Sequence, residues 1–196
     1  MPVGYRYEIL EETMGNLDYV GFEKDIRTHM EEYFKKIKDR PFSLTNDAQI
    51  DVGNVSKFSK EELKKKLVGI KQNAVYIITS QESFEGKQRK AYNNCKKNGF
   101  QMSRDMIKKH HENTNKPCCL YVGSSITDVN TRLKQHLGIT ESKATYALHL
   151  KHWWSDAALQ ITVYQFNDDI EDYVLQFIED CLWEENKPIF GRKGGK

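Results

Sequence analysis

Five polar side chains of this chain have the chemistry that phosphodiester hydrolysis requires. Such a reaction needs an activated water, neutralisation of the charge that builds up around phosphorus, and support for the leaving oxygen. A hard cation on one carboxylate, with an arginine and a histidine beside it, can meet the last two needs. The five residues are Tyr76, Tyr121, Arg132, His136 and Glu179. They are our candidate catalytic residues, provided that the elements carrying them bring them together.

The two tyrosines lie in short apolar runs that predict β-strands. Tyr76 lies in a β-branched run over residues 74–79, and Tyr121 lies in a second run over 118–122 that Gly123 closes. A third run, residues 159–166, alternates apolar and polar residues, which is typical of a strand with one buried face. Three strands with helical segments between them predict an α/β fold.

One predicted helix carries both the arginine and the histidine. Thr127 is a plausible N-cap, and Gly138 would end the helix after Leu137. At about 100° per residue, Arg132 and His136 fall on one edge of the buried side of this helix. We therefore expect both side chains to reach toward one cleft beside the sheet.

The last predicted helix carries the carboxylate. Its apolar stripe consists of Tyr173, Val174, Phe177, Ile178, Cys181 and Leu182. The helix should end at Lys187, because Pro188 follows. Glu179 falls at the border of the stripe, where a metal ligand would be partly shielded. An ordinary surface glutamate with a packed stem occupies the same kind of position.

The remaining segments give weaker signals. Ser59 and Glu62 form a capping-box pattern that predicts a short helix to about Val68. Residues 104–111 and 144–154 read as helical, and residues 41–58 read as turn-rich. An apolar periodicity consisting of Phe22, Ile26, Met30, Tyr33, Phe34 and Ile37 predicts an earlier helix that Arg40 and Pro41 end. Residues 1–73 are therefore predicted to be a mainly helical N-terminal extension.

Positive charge is concentrated in the middle of the chain. The net charge is +2, yet residues 74–117 carry 9 Lys/Arg against 4 Asp/Glu. This basic block could bind a polyanion through phosphate contacts that do not depend on base sequence, or it could be a solvated loop. The candidate nucleic-acid-binding residues are Lys87, Arg89, Lys90, Lys96, Lys97, Arg104, Lys108 and Lys109.

Composition excludes several classes of protein. The chain has 196 residues, 38 % of them apolar and 30 % charged. No stretch approaches the roughly 20 apolar residues of a membrane span, and the N-terminus lacks a signal-peptide pattern. We therefore expect a cytoplasmic protein with no membrane partner. The four cysteines should be reduced. A zinc site from Cys95, His110, His111, Cys118 and Cys119 is disfavoured by their loose spacing.

Taken in order, three pieces of the chain resemble the GIY-YIG nuclease domain. They are the run around Tyr76, the stretch from Tyr121-Val122-Gly123 to Gly138, and the helix around Glu179. The resemblance covers residues 74–191. It implies an α+β domain around a small, mainly antiparallel three-stranded sheet flanked by helices. Residues 80–117 would be a basic insertion that loops out between two strands, and residues 192–196 would be a flexible tail.

The resemblance also implies roles for the residues of the two strands. Tyr76 matches the tyrosine that is proposed as the general base of these nucleases. Because a phenol has a pKa near 10, it would need a cation nearby to work at neutral pH. Tyr121 matches the second tyrosine, which lines the site. Gly123 matches the glycine that lets the backbone turn close to the site.

For the two helices, the resemblance implies the phosphate and metal contacts. Arg132 matches the arginine that neutralises the scissile phosphate, and His136 matches a frequent phosphate-side histidine. Glu179 matches the metal-binding glutamate, in a context similar to the helix of the excision-repair incision nucleases. It would hold Mg²⁺ or Mn²⁺. Gly191 stands where many members carry an asparagine.

Several alternatives remain open at the level of sequence. Each candidate residue alone has an ordinary interpretation: the tyrosines as core aromatics, Arg132 and His136 as helix surface, and Glu179 as a solvated charge. The expected function is metal-dependent endonucleolytic cleavage of DNA, with RNA as an open alternative, by a monomer or a homodimer. Two other hypotheses are a nuclease-like module that binds nucleic acid without cutting it, and a domain whose basic block meets an acidic protein.

Overall fold

The computed structural model describes residues 43–84, 86–107, 109–110, 118–140, 142–154 and 157–194, together with Thr28, Glu31, Glu32 and Lys35. The chain divides into two units, Met1–Pro41 and Phe42–Lys196, and the second contains all the named strands and helices. The apolar residues of the predicted N-terminal helix lie outside the described residues. Lys108, His111 and residues 112–117 lie outside them as well.

The second unit alternates strands and helices along the chain. In order, the described elements are β1 (Leu44–Asn54), α1 (Lys60–Lys66), β2 (Ala74–Ser80), α2 (Lys87–Lys97), β3 (Cys118–Ser125), α3 (Val129–Leu137), a 3₁₀ turn (Leu150–His152), β4 (Ala158–Phe166) and α4 (Asp172–Asn186). Among the described residues, no helix has the length and apolarity needed to cross a membrane.

The strands form one antiparallel sheet in the order β1-β4-β2-β3. The described part of the chain therefore has four strands in this sheet, not the three that the sequence predicts. The additional strand is β1, which the sequence analysis assigned to turns. It lies at the edge, paired only with β4, and most of its side chains are exposed or half-buried. A polar edge strand lacks the apolar alternation by which strands are recognised.

The predicted elements around the site are present. β2, β3 and β4 cover the three predicted runs, and Leu159, Ile161 and Val163 form the buried face of β4. The capping box of α1 is formed: the Ser59 hydroxyl accepts from the backbone N–H of Glu62, and the Glu62 carboxylate accepts from that of Ser59.

The helix that carries Arg132 also forms with the predicted end. α3 begins after Asp128, whose side chain caps it, one residue later than predicted. It ends at Gly138, which adopts φ of 75°. A left-handed residue at this position is the common way to end a helix.

The sheet separates two apolar clusters. Tyr76 and Ile78 face one cluster together with Leu133 and Leu137 of α3. Val75 and Ile77 face the other, together with Leu175 and Trp183 of α4. The arginine helix and the carboxylate helix therefore pack on opposite faces of the sheet, and β2 is buried on both.

Two predicted helices are absent from the described residues. Residues 104–107 and 109–110 form no helix, and residues 144–154 contain only the 3₁₀ turn. Backbone pairing explains both differences: Ser103 N–H donates to Ala147 O at 3.0 Å, and Gly191 N–H donates to Arg104 O at 2.9 Å. Ser103, Arg104 and Ala147 are therefore paired with distant segments where helix propensity alone favours a turn of helix.

The basic insertion is anchored to the core by an aromatic cluster. The Phe84 ring lies 6.0 Å from Tyr92 of α2, 5.8 Å from Trp153 and 5.1 Å from Phe190. Phe84 is almost fully buried, with 1 % of its surface exposed. Phe84 and Tyr92 thus anchor the first part of the insertion, including α2, to the core of the second unit.

Phe84→Ala should lower the free energy of unfolding by about 3–5 kcal/mol, because it removes the ring on which this cluster closes. Urea denaturation followed by tryptophan fluorescence measures the loss. Phe177→Ala is the matched control, since Phe177 is 38 % exposed on α4 and should cost much less. Similar small losses in both variants would mean that the insertion does not depend on Phe84.

Candidate active site

Four of the five candidate catalytic residues line one cleft. The cleft has a volume of about 530 Å³, and its lining includes Tyr76, Tyr121, Arg132 and Glu179, together with Gly123. β2 and β3 provide the tyrosines, α3 provides the arginine, and α4 provides the glutamate. Residues that are distant in the sequence thus meet at one place beside β3.

The tyrosine pair depends on the missing side chain of Gly123. Gly123 pairs with Tyr76 across the β2–β3 ladder. The two tyrosine rings lie 6.1 Å apart and nearly parallel, at 18°. A Cβ on Gly123 would lie 2.6 Å from Tyr121 Cε1 and 2.8 Å from Tyr76 Oη. The glycine therefore provides the space in which the two tyrosines stack.

His136 supports the tyrosines and does not line the cleft. It is fully buried, and its ring centroid lies 4.2 Å from that of Tyr121. Its Nδ1 accepts from the backbone N–H of Leu148 at 3.2 Å, and its Nε2 lies 3.2 Å from Tyr76 Oη. The prediction that His136 reaches toward the cleft to contact phosphate is therefore corrected, because the histidine lies beneath the tyrosines that face the cleft.

The buried histidine fixes the direction of the hydrogen bond to Tyr76. Burial, with the charge of Arg132 nearby, holds the pKa of His136 well below 6.5, so that the ring is neutral. Because Nδ1 accepts from a backbone N–H, the ring proton is on Nε2. Nε2 therefore donates to Tyr76 Oη, and the phenolic proton of Tyr76 is available to a group in the cleft.

Both tyrosines are held in the neutral form. Burial raises the pKa of Tyr76 well above its usual value of 10, and the charges of Tyr121 and Glu179 act in the same direction. Burial likewise raises the pKa of Tyr121. The positive charge of Arg132 opposes both shifts. Added positive charge in the cleft would therefore favour ionisation of Tyr76.

Arg132 is held at the cleft by two acceptors. Its Nη1 donates to Gln135 Oε1 at 2.5 Å, and its Nη2 lies 3.4 Å from the carbonyl oxygen of Tyr146. The side chain is half-buried and lines the cleft. A guanidinium fixed in this way presents positive charge beside the tyrosine pair.

Glu179 lies within the buried face of α4, not at its border as the sequence predicts. The buried residues of this helix are Val174, Leu175, Glu179 and Trp183, whereas Cys181 is exposed and Phe177 is 38 % exposed. Glu179 is only 8 % exposed, and the Ser124 hydroxyl donates to its Oε2 at 2.5 Å. A buried carboxylate is tolerated when it is hydrogen-bonded.

The cleft offers one carboxylate to a cation. Among the described residues there is no group of three or more His, Cys, Asp or Glu side chains that could hold a metal. Mg²⁺ commonly binds through one or two carboxylates and keeps several waters. Glu179 in an open cleft fits an ion of that kind. Burial raises the thiol pKa of Cys118 and Cys119 to about 12, so both thiols are protonated near neutral pH when no metal is bound.

The candidate DNA-binding residues of the insertion lie at three different places. All of those that the structure describes are exposed. Five lie on α2 and do not line the cleft: Lys87, Arg89, Lys90, Lys96 and Lys97. Arg104 lines the cleft, whereas Lys109 lies over the ring of Trp183 at 5.0 Å.

Sequence reasoning missed several polar residues of the cleft. They are Ser103, Ser124, Tyr146, Gln176 and Arg192. Ser124 directly follows Gly123, and that position is the signal that could have identified it. Gln176 lies one turn before Glu179 on α4. Arg192 belongs to the segment that was assigned to a flexible tail, and its sequence gives no sign of the cleft.

No protein-family model, curated protein or solved structure matches this chain.

Gly123→Ala should destabilise the protein by about 1–3 kcal/mol, because the new methyl group must displace both tyrosine rings. Urea unfolding measures the loss. In a Tyr121→Ala background the added cost should shrink, since the nearest contact has gone. An equal cost in both backgrounds would show that the strain does not arise from the tyrosine pair.

Stability should fall as the pH decreases below 6.5, where the unfolded chain binds a proton on His136 that the folded chain does not. The sign follows from the lowered pKa of the folded state, and the slope is at most about 1.4 kcal/mol per pH unit for one group. Urea unfolding between pH 7 and pH 5.5 measures it. His136→Gln should reduce the slope, whereas His152→Gln, at an exposed position, should preserve more of it. Identical slopes in both variants and wild type would contradict a buried neutral His136.

Proposed function

We propose that this chain is a metal-dependent endonuclease that hydrolyses phosphodiester bonds in DNA through a GIY-YIG-type active site. The observation that carries the proposal is the cleft in which two stacked tyrosines, a guanidinium and a buried carboxylate meet. The type and order of these residues agree with the resemblance in the sequence. Their convergence gives one place where a phosphodiester could be bound and attacked.

Arg132 and Tyr76 are the residues that would contact the scissile phosphate. The planar fork of a guanidinium suits two phosphate oxygens, and its positive charge offsets the charge that builds up during attack. Tyr76 is held by the hydrogen bond from His136, so its hydroxyl is fixed before the substrate arrives. Such preorganisation lowers the cost of reaching the transition state.

Glu179 would hold Mg²⁺ or Mn²⁺, with Ser124 orienting its carboxylate. When bound there, the ion supplies positive charge and Lewis acidity to phosphate oxygens. Removal of the Tyr76 proton, as its role of base requires, is opposed by burial and favoured by Arg132. The role of Tyr76 as base thus depends on positive charge gathered in the cleft.

A nucleic-acid-binding module without catalysis is the second candidate. The raised pKa values of Tyr76 and Tyr121 favour it, because two neutral phenols and an arginine can bind a phosphate without activating water. Both candidate functions require binding of nucleic acid, but only the nuclease cleaves it. Measurements of both on the same variants therefore separate them.

Nicking of supercoiled plasmid in Mg²⁺ or Mn²⁺ tests the proposal. Glu179→Gln and Tyr76→Phe keep the size of the side chains, and each should lower the nicking rate by at least about 100-fold. Glu185→Gln is the matched control, because Glu185 is exposed on the same helix, outside the residues that line the cleft. It should nick at the wild-type rate.

Equal nicking by wild type and Glu179→Gln would contradict the assignment of the site. Metal-independent DNA binding without turnover would favour the binding module. Failure of the wild-type protein to bind nucleic acid at low salt would instead favour the hypothesis that the basic block binds an acidic protein. Each chain has one proposed site, so cleavage of both strands requires a homodimer or two successive nicks.

A further inference from the structure

Two further arginines line the cleft without belonging to the candidate catalytic set. Arg104 comes from the connection that follows α2, and Arg192 comes from the segment after α4. They are 88 positions apart in the sequence. Their presence on one cleft therefore reflects the fold and not the local sequence.

A backbone ladder holds the two segments together. Gly191 N–H donates to Arg104 O at 2.9 Å, and Met106 N–H donates to Ile189 O at 3.0 Å. Residues 189–190 in turn bond to β3, through Ile189 N–H to Cys119 O at 3.0 Å and Phe190 N–H to Leu120 O at 3.0 Å. The segment that carries Arg192 is thus hydrogen-bonded both to the segment that carries Arg104 and to the edge strand β3.

Lys193 and Gly194, which follow Arg192, form polar contacts with α4, the helix that carries Glu179. Lys193 Nζ forms an ion pair with Glu184 Oε1 at 2.9 Å, and Gly194 N–H donates to Asp180 Oδ1 at 3.0 Å. Gly191 precedes Arg192 and adopts φ of 93°, and a Cβ there would lie 3.0 Å from Tyr121 Cε2. The sequence predicted a flexible tail from residue 192, yet the backbone on both sides of Arg192 is held in place.

Positive charge exceeds negative charge along the cleft. Arg104, Arg132 and Arg192 line it, and Glu179 is the one carboxylate among the described residues that do so. Arg104 and Arg192 are exposed, and neither guanidinium makes a hydrogen bond or ion pair to another described residue. Arg132, in contrast, already bonds Gln135. Two arginines on hydrogen-bonded segments, with no guanidinium partner among the described residues, are suited to a ligand that is an anion.

We infer that Arg104 and Arg192 together form a second phosphate subsite, which holds a backbone phosphate next to the one that Arg132 binds. The inference rests on the proposed function and deepens it. It assigns the DNA contact of the basic insertion to Arg104 rather than to the lysines of α2. Contacts of this kind position the duplex and carry no sequence information. The subsite would therefore set the register of the strand against Tyr76.

The salt dependence of DNA binding tests the subsite without requiring cleavage. A fluorescein-labelled duplex is titrated with the full chain in EDTA at several NaCl concentrations. Arg104→Ala/Arg192→Ala should weaken binding at low salt at least about tenfold and make the slope of log K against log [NaCl] shallower by about 0.9, the value for one phosphate contact. Lys57→Ala/Lys65→Ala is the control, because it removes two charges from exposed residues that do not line the cleft.

A lysine pair separates loss of charge from loss of structure. Arg104→Lys/Arg192→Lys keeps both charges and should retain the wild-type slope. Loss of the slope in the alanine variant, with retention in the lysine and control variants, supports the subsite. Loss in both arginine variants together with a lowered melting temperature overturns it, since the arginines would then be structural.

The outcomes for the subsite and for the nuclease are distinct. An alanine variant that binds with wild-type affinity and slope overturns the subsite and leaves the proposed function standing. Arginine-dependent binding without metal-dependent nicking supports the subsite and contradicts the nuclease. A wild-type chain that binds no DNA at low salt overturns both.

Discussion

The close approach of two tyrosine rings to Gly123 is the constraint on which the cleft depends. Without a Cβ at that position, Tyr76 and Tyr121 can stack across the β2–β3 ladder and leave His136 packed beneath them. The histidine is buried, neutral and committed to a backbone N–H, so it donates to Tyr76. The space left by Gly123 thus lets the tyrosines pack over His136, and the hydrogen bond from His136 orients the hydroxyl of Tyr76.

Much of the fold could be predicted where the signal is local. The apolar runs of β2 and β4, the capping box at Ser59 and the glycine stop at Gly138 each depend on a few neighbouring residues. β1 could not be recognised, because a polar edge strand is specified by pairing with β4. The helix predicted at 144–154 fails for the same reason, since Ala147 is held in an extended connection to Ser103.

The candidate site could be predicted only for those residues that match the three segments of the GIY-YIG-like motif. Tyr76, Arg132 and Glu179 lie together, yet helical periodicity places Glu179 at the border of the apolar stripe, whereas it is one of the buried residues of α4. Periodicity also could not show that His136 lies under a tyrosine instead of in the cleft. Arg192 lies at the cleft because its segment is hydrogen-bonded to the insertion and to α4, and a sequence pattern does not encode such long-range pairing.

The central claim is that a phosphodiester binds in this cleft, between Arg132 and the tyrosine pair. A crystal structure of the Glu179→Gln variant with a duplex oligonucleotide tests it most directly, because the bound strand should remain uncut. The account predicts a backbone phosphate oxygen within hydrogen-bond distance of the Arg132 guanidinium, about 2.7–3.2 Å, with the Tyr76 hydroxyl facing the same phosphate. A duplex bound to another surface, such as the β1 edge of the sheet, with no phosphate in the cleft, would contradict it.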